Sequence, residues 1–254
     1  MDWEHACRAP HAGAKSVTGL LLAEVSIKRK RLLLFDIDGT LVSTASAGVR
    51  SLKATLESHY GISDDLTDIE VAGKTDRAII RDILRKHRID PTPENIEKFA
   101  ALYLSGLAAE LPQRDGQVLP GILTLLERLK PQPHIVLALL TGNLARGARM
   151  KLDHFGLWHY FEFGAFADDH HDRNELGAFA RRRAQEKHGH DFDAADIDVI
   201  GDTGHDVACG KVFGARTVAV ATGGWSYEDL EKTKPDRIFR DFSDVNDVIA
   251  TLDW

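Results

Sequence analysis

The sequence predicts an α/β protein with a Rossmann-like parallel sheet and an inserted all-helical segment. Two observations carry this prediction: short apolar runs alternate with helix-like segments in the C-terminal half, and the stretch after the first apolar run has helical periodicity only. The chain of 254 residues is long enough for one α/β domain with an insertion or for two small domains.

The first predicted strand covers residues 32–35, reading LLLF, and ends abruptly in polar residues. Asp36 and Asp38 flank Ile37, and Gly39 and Thr40 follow them. Ligands bind at the carboxyl ends of strands in open α/β sheets, so this position favours a functional site. Two other interpretations stay open here, an ordinary turn and a calcium loop, although Thr40 stands where that loop needs a third ligand.

The next seventy residues have apolar positions at helical spacing and predict no strand that extends the sheet. The predicted helices span residues 47–60, 76–87 and 94–110. We therefore expect a helical cap over residues 45–114, and an α/β core formed by residues 31–44 and 115–254.

From Leu119 onward the pattern alternates between strand and helix. The predicted strands are residues 135–140, 161–166, 197–200, 216–220 and 238–239. The predicted helices are residues 122–130, 144–154, 175–188, a helix ending at Val212, and residues 245–252. Such alternation predicts right-handed crossovers and a parallel sheet covered on both faces.

Three strand ends carry acids, hydroxyls or glycine turns, at residues 36–40, 141–143 and 201–206. All carboxyl ends of a parallel sheet face one edge, so these segments should converge. If the chain crosses back to place the Asp202 strand on the other side of the Asp36 strand, Asp36 and Asp202 flank the topological switch point. Grouped aspartates repel one another by about 4 kcal/mol per pair at about 4 Å and an effective dielectric near 20. An all-oxygen ligand set with this need for positive charge favours Mg²⁺.

The segments Asp36-Ile37-Asp38-Gly39-Thr40, Thr141 after a core strand, and Gly201-Asp202-Thr203 with Asp206 resemble the ordered motifs of the haloacid dehalogenase superfamily. About a hundred residues separate the first two motifs, as in members with a helical cap. The resemblance covers residues 31–254. It implies a phosphatase that forms an aspartyl-phosphate intermediate.

By this resemblance Asp36 is the nucleophile and a metal ligand. Asp38 is the general acid and base, and its backbone carbonyl binds the metal. Asp202 is a direct ligand of Mg²⁺, and Asp206 is a ligand or a water-mediated support. The phosphate oxygens are held by Thr141, Gly142 and Asn143.

Two basic residues complete the predicted site. The family usually has a lysine in its third motif, but here Arg173 stands at a suitable distance before Asp202. Arginine suits phosphate, although a surface arginine is the alternative interpretation. Lys74 follows Gly73 in the cap; in related capped phosphatases such a lysine faces the leaving group, and a surface lysine is again the alternative.

The leading hypothesis is a magnesium-dependent phosphatase for a small phosphomonoester, similar to phosphoglycolate phosphatases. A phosphomutase resembling β-phosphoglucomutase is one alternative, and a non-catalytic binding module with the same fold is another. The tract at residues 168–172 could be a transition-metal site, but a solvated loop explains it better.

Composition narrows the remaining choices. The formal net charge of -7 argues against nucleic-acid binding, and no apolar run is long enough to span a membrane. Cys7 and Cys209 alone provide no disulfide framework and favour a cytoplasmic location. Residues 1–30 lack periodicity and are expected to be a mobile extension or a misassigned start. The sequence does not indicate the oligomeric state.

Overall fold

The computed structural model describes residues 29–254. The expected N-terminal extension therefore lies almost wholly outside the described residues. No helix within the described part is long and apolar enough to cross a membrane.

A six-stranded parallel sheet forms the centre of the molecule, in the order β5-β4-β1-β6-β7-β8. The strands of this sheet are β1 (Arg31–Phe35), β4 (Ile135–Leu140), β5 (Gly164–Ala165), β6 (Ile197–Gly201), β7 (Arg216–Val220) and β8 (Arg237–Phe239). All six residues of β4 and four of the five in β1 are buried, as expected for strands covered on both faces.

The α/β prediction is confirmed, and so is the position of the switch point. The chain places β4 on one side of β1 and then returns to place β6 on the other. Asp36 and Asp202 consequently follow two adjacent strands at the same edge of the sheet.

Helices cover both faces of the sheet. They are α4 (Ile122–Leu129), α5 (Ala145–His154), α6 (Leu176–His188), α7 (Gly204–Val212), α8 (Tyr227–Lys232) and α9 (Val245–Leu252). Helices α4, α5 and α9 pack with alternate residues of β1 and β4, including Leu33 and Leu137. Helices α6 and α7 pack with the opposite set, including Leu34 and Ala138. This alternation gives the three-layer arrangement expected for the fold.

The segment after β1 is helical, with α1 (Ala47–Tyr60), α2 (Asp76–Lys86) and α3 (Pro93–Glu110). Thr75 and Thr92 cap the last two helices by accepting hydrogen bonds from the backbone. The three helices share one hydrophobic cluster, which includes Leu56, Ile80 and Phe99. The boundaries of the cap at residues 45 and 114 stay a prediction.

An antiparallel pair of two-residue strands, β2 (Val42–Ser43) and β3 (Gln117–Val118), joins the two ends of this helical segment. The sequence did not indicate this pair, because two residues are too few to show periodicity. The predicted strand 161–166 is also shorter in the structure. A 3-10 turn at Trp158–Tyr160 precedes it, and only Gly164–Ala165 forms the regular strand β5.

Candidate active site

Three buried aspartates meet at the carboxyl ends of β1 and β6. Asp36, Asp202 and Asp206 each place one carboxylate oxygen in a group of three oxygens, and these three atoms all lie within 4.8 Å of one another. Asp36 follows β1 directly, Asp202 follows β6, and Asp206 lies in the first turn of α7. The structure thus brings together three of the four acids that the sequence singled out.

Close packing fixes the carboxylate of Asp202. The Thr40 hydroxyl donates a hydrogen bond to it at 3.3 Å. A Cβ atom at Gly39 would lie 2.4 Å from Asp202 Oδ2, and one at Gly223 only 1.6 Å away, so both positions require glycine. Burial, followed by the charges of Asp206 and Asp36, raises the pKa of Asp202 well above its ordinary value.

Asp36 is also buried, and its pKa is raised to about 6. Burial is the largest cause, Asp206 and Asp38 add to it, and Arg173 and a hydrogen bond from Thr141 act in the opposite direction. The raised pKa values of Asp36 and Asp202 show that Arg173 alone does not offset burial and the charges of the neighbouring carboxylates.

Arg173 supplies a cation next to the predicted nucleophile. Its side chain is only 6% exposed, and Nη2 lies 3.0 Å from an Asp36 oxygen and also contacts Asp206. Nη1 donates to the Gly73 carbonyl of the helical segment at 3.1 Å. The surface interpretation of Arg173 is therefore wrong. Burial opposes its charge, but Asp206 and Asp36 outweigh burial and raise its pKa.

Asp206 has partners for both of its carboxylate oxygens. One contacts Arg173, while the other accepts hydrogen bonds from the Thr203 amide at 3.1 Å and the Thr203 hydroxyl at 2.7 Å. The Thr203 contacts form a capping box at the start of α7. This arrangement favours water-mediated support of a metal over direct ligation by Asp206.

The Asp38 side chain points to a different set of partners. It accepts hydrogen bonds from Asn143 Nδ2 at 2.8 Å and from Lys151 Nζ at 2.5 Å. Lys151 Nζ also donates to Asn143 Oδ1, and Asn143 Nδ2 also contacts the Thr141 hydroxyl at 2.8 Å. Within the loop of residues 141–143, which the resemblance assigned to phosphate, Asn143 therefore also orients the predicted acid.

Sequence reasoning missed Lys151, whose side chain is 4% exposed. Lys151 lies on the same helix face as the buried residues Gly147 and Ala148 of α5. The sequence did contain a sign of this role. Lys151 is on the apolar face of the helix that follows the Thr-Gly-Asn strand end, and lysine is almost never fully buried without a partner.

A cavity of about 500 Å³ lies between these residues and the helical segment. Lys74 lines the cavity, as the resemblance implied, but its ammonium pairs with Asp82 at 3.3 Å and Glu70 at 3.5 Å. Asp76 and Tyr103 also line it, and the sequence had indicated neither of them.

The carboxylates at the sheet edge have the chemistry of a site for a hard divalent cation. Asp36 and Asp202 supply oxygen donors, and their raised pKa values indicate that positive charge would stabilise the ionised forms. Oxygen donors without nitrogen or sulfur suit Mg²⁺ better than Zn²⁺.

A sequence model of the family described as haloacid dehalogenase-like hydrolase matches residues 33–220. Among curated proteins, the chain is 28% identical to a probable phosphatase IndB of Dickeya dadantii, over 85% of this chain and 92% of that protein. It is also 28% identical to a phosphoglycolate phosphatase of Agrobacterium fabrum, over 84% of this chain and 89% of the relative.

Among solved structures, CbbY from Rhodobacter sphaeroides in complex with phosphate superposes with a TM-score of 0.70. The match covers 85% of this chain and 96% of CbbY at 19% sequence identity. This likeness concerns the fold.

Proposed function

Because the chain belongs to the haloacid dehalogenase-like hydrolase family, we propose that it is a magnesium-dependent phosphatase acting on a small phosphorylated metabolite. The observation that carries the proposal is the position of Asp36: buried, 3.0 Å from Arg173, and grouped with Asp202. The names of the related phosphatases support a phosphoric monoester as substrate.

In the first displacement, an Asp36 oxygen attacks phosphorus while the bond from phosphorus to the leaving oxygen breaks. Asp38 gives a proton to that oxygen, so the alcohol leaves in neutral form. The product on the protein is an aspartyl phosphate, which separates a difficult hydrolysis into two easier steps.

In the second displacement, Asp38 takes a proton from water and the water oxygen attacks phosphorus. The bond between phosphorus and Asp36 then breaks, and inorganic phosphate leaves. Arg173 and the backbone amides of Gly142 and Asn143 bind the phosphoryl oxygens and stabilise their charge.

The carboxylates of Asp36 and Asp202 and the backbone carbonyl of Asp38 would hold Mg²⁺, with Asp206 as support. When bound, the ion supplies positive charge that offsets the carboxylates and the substrate phosphate. The residues themselves orient the phosphoryl group and move the protons.

The test is phosphate release from p-nitrophenyl phosphate by the purified chain. We expect release with Mg²⁺, loss of release with a chelator, and recovery when Mg²⁺ is restored. Asp202→Asn should lower the rate strongly, whereas Asp90→Asn on the exposed surface of the helical segment should not. Activity that survives chelation would contradict the metal assignment.

The same assay separates the two alternatives. A non-catalytic binding module would release no phosphate from any member of a broad phosphate-ester panel. A phosphomutase of the β-phosphoglucomutase type would transfer the phosphoryl group to a sugar phosphate faster than to water.

A further inference from the structure

Apolar side chains of the helical segment form part of the wall of the cavity. Its wall includes Val49 and Leu52 of α1, Val71 and Ala72 of the following loop, and Ile79 of α2. The leaving group of a phosphoester bound through its phosphate at Asp36 would lie against this wall.

The cationic side chains that line the cavity, within residues 29–254, are Lys74, Lys151 and Arg173. Each is already paired with acidic partners of the protein. Lys74 contacts Glu70 and Asp82, Lys151 contacts Asp38, and Arg173 contacts Asp36 and Asp206. A carboxylate on the leaving group would have to take a cation from one of these pairs.

An additional carboxylate lies next to the leaving-group space. Asp76 is buried at the start of α2 and accepts a hydrogen bond from the Leu144 amide at 2.8 Å. Burial raises its pKa to about 6, with Lys151 acting in the opposite direction, so it is mainly ionised at neutral pH. Its charge repels an anionic leaving group.

Several side-chain hydroxyl groups, in contrast, line the space for the leaving group. Tyr103 and Ser46 line the cavity together with Thr44. The Tyr103 hydroxyl and Lys151 Nζ both face Gly48 of α1, because a Cβ atom at Gly48 would be 3.5 Å from the former and 3.9 Å from the latter. These groups can exchange hydrogen bonds with a substrate hydroxyl.

We propose that the ester hydrolysed at this site has an uncharged, hydroxyl-bearing leaving group, an inference that rests on the proposed phosphatase function. The site discriminates against esters whose leaving group carries a carboxylate, of which phosphoglycolate is the smallest example. The discrimination arises from Asp76 and from the absence, within residues 29–254, of an unpaired cation lining the cavity.

The first experiment compares two esters of nearly equal size, 2-hydroxyethyl phosphate and phosphoglycolate. The first has a hydroxymethyl group where the second has a carboxylate. With Mg²⁺ and the full chain, kcat/KM should favour 2-hydroxyethyl phosphate by about tenfold or more, since one repulsive contact of this kind is sufficient for that ratio. Equal values, or a preference for phosphoglycolate, would overturn the inference.

A binding experiment reads the same preference without turnover. In Asp36→Asn, which lacks the attacking oxygen's charge, calorimetric titration with each ester should give about tenfold tighter binding of 2-hydroxyethyl phosphate. Equal binding overturns the inference. If the wild type hydrolyses no ester while this preference holds, the proposed phosphatase function fails, and the selectivity of the cavity in binding is what remains.

A charge variant tests the assigned cause. Asp76→Asn keeps an acceptor for the Leu144 amide and removes the charge, so kcat/KM for phosphoglycolate should rise several-fold relative to 2-hydroxyethyl phosphate. Asp90→Asn, an exposed aspartate of the same helical segment, is the matched control and should leave the ratio unchanged. An unchanged ratio in Asp76→Asn would contradict the role of this carboxylate.

Discussion

Arg173, which we propose takes the place of the lysine usual in this family, is buried beside Asp36. Its guanidinium joins Asp36, Asp206 and the Gly73 carbonyl, which a lysine ammonium cannot do in the same planar geometry. Arg173 thereby connects the predicted nucleophile to the helical segment.

We expect Arg173→Ala to lower kcat by about 10²- to 10³-fold, the loss typical when one donor to a developing oxyanion is removed. The change also leaves buried carboxylates without their cation, which costs about 3–5 kcal/mol of stability. Arg173→Lys keeps the charge and should retain more of both. Thermal unfolding and steady-state kinetics measure the two effects.

Arg182→Ala, on the exposed face of α6, is the matched control for these measurements. A near-normal rate in Arg173→Ala would show that this residue does not act on the phosphoryl group.

Lys151 is predicted to position Asp38 as the acid. Lys151→Met should slow hydrolysis of an alkyl phosphate by about 10²-fold, the lower end of general acid contributions. It should affect p-nitrophenyl phosphate much less, because nitrophenolate leaves without a proton. Lys98→Met, at an exposed position in α3, serves as control. Equal losses on both substrates would indicate a structural role only.

The motifs identified Asp36 and Asp202, since strand ends with acids have a recognisable local pattern. Lys151 and Asp76 lacked such a pattern. Lys151 pairs with Asp38, which is 113 residues away in the sequence. Asp76 resembles any acid at the start of a helix, and only its hydrogen bond from the Leu144 amide in the folded chain distinguishes it. The significance of these residues depends on tertiary contacts that one sequence does not display.

Helix α2 begins with the buried acid Asp76, which makes the free energy of unfolding depend on pH. The pKa of Asp76 is raised from 3.8 to about 6, so the folded state binds a proton more tightly than the unfolded state. The associated stabilisation is present below pH 3.8 and is lost as the pH rises through 6, amounting to about 3 kcal/mol.

Asp76→Asn should therefore reduce the fall in unfolding free energy between pH 4 and pH 6. Denaturant unfolding of the metal-free chain across this range provides the measurement, with Asp90→Asn as control. A pH dependence identical to that of the wild type would contradict the raised pKa of Asp76.

Periodicity predicted elements well where they are long or fully buried. Strand β4 and helices α1 and α9 have the predicted bounds. Periodicity did not reveal α8, which has only six residues. It also predicted too long a strand at β5, where Phe161 and Phe163 pack into hydrophobic clusters without continuing the regular strand. In these places tertiary packing decides the backbone conformation.

In the whole molecule, the placement of the Asp202 strand beside the Asp36 strand could be predicted from the alternation of strands and helices. The resemblance implied a helical cap at the site, but the detailed position of the helical segment over the sheet edge could not be predicted. It depends on close contacts such as the Asp76 amide donating to the Gly142 carbonyl at 2.7 Å. Because the loops proposed to hold the phosphate meet here with those that would face the leaving group, we propose that catalysis and selectivity are coupled at this boundary.

In the proposed mechanism, Asp36 accepts the phosphoryl group. The most direct measurement is rapid acid quench of the chain reacting with an ester labelled in its phosphoryl group, followed by pepsin digestion at low pH, at which an acyl phosphate survives. We predict label on a peptide that contains Asp36, and none in Asp36→Asn. Active enzyme that never carries label on this peptide, or label retained in Asp36→Asn, would contradict the account.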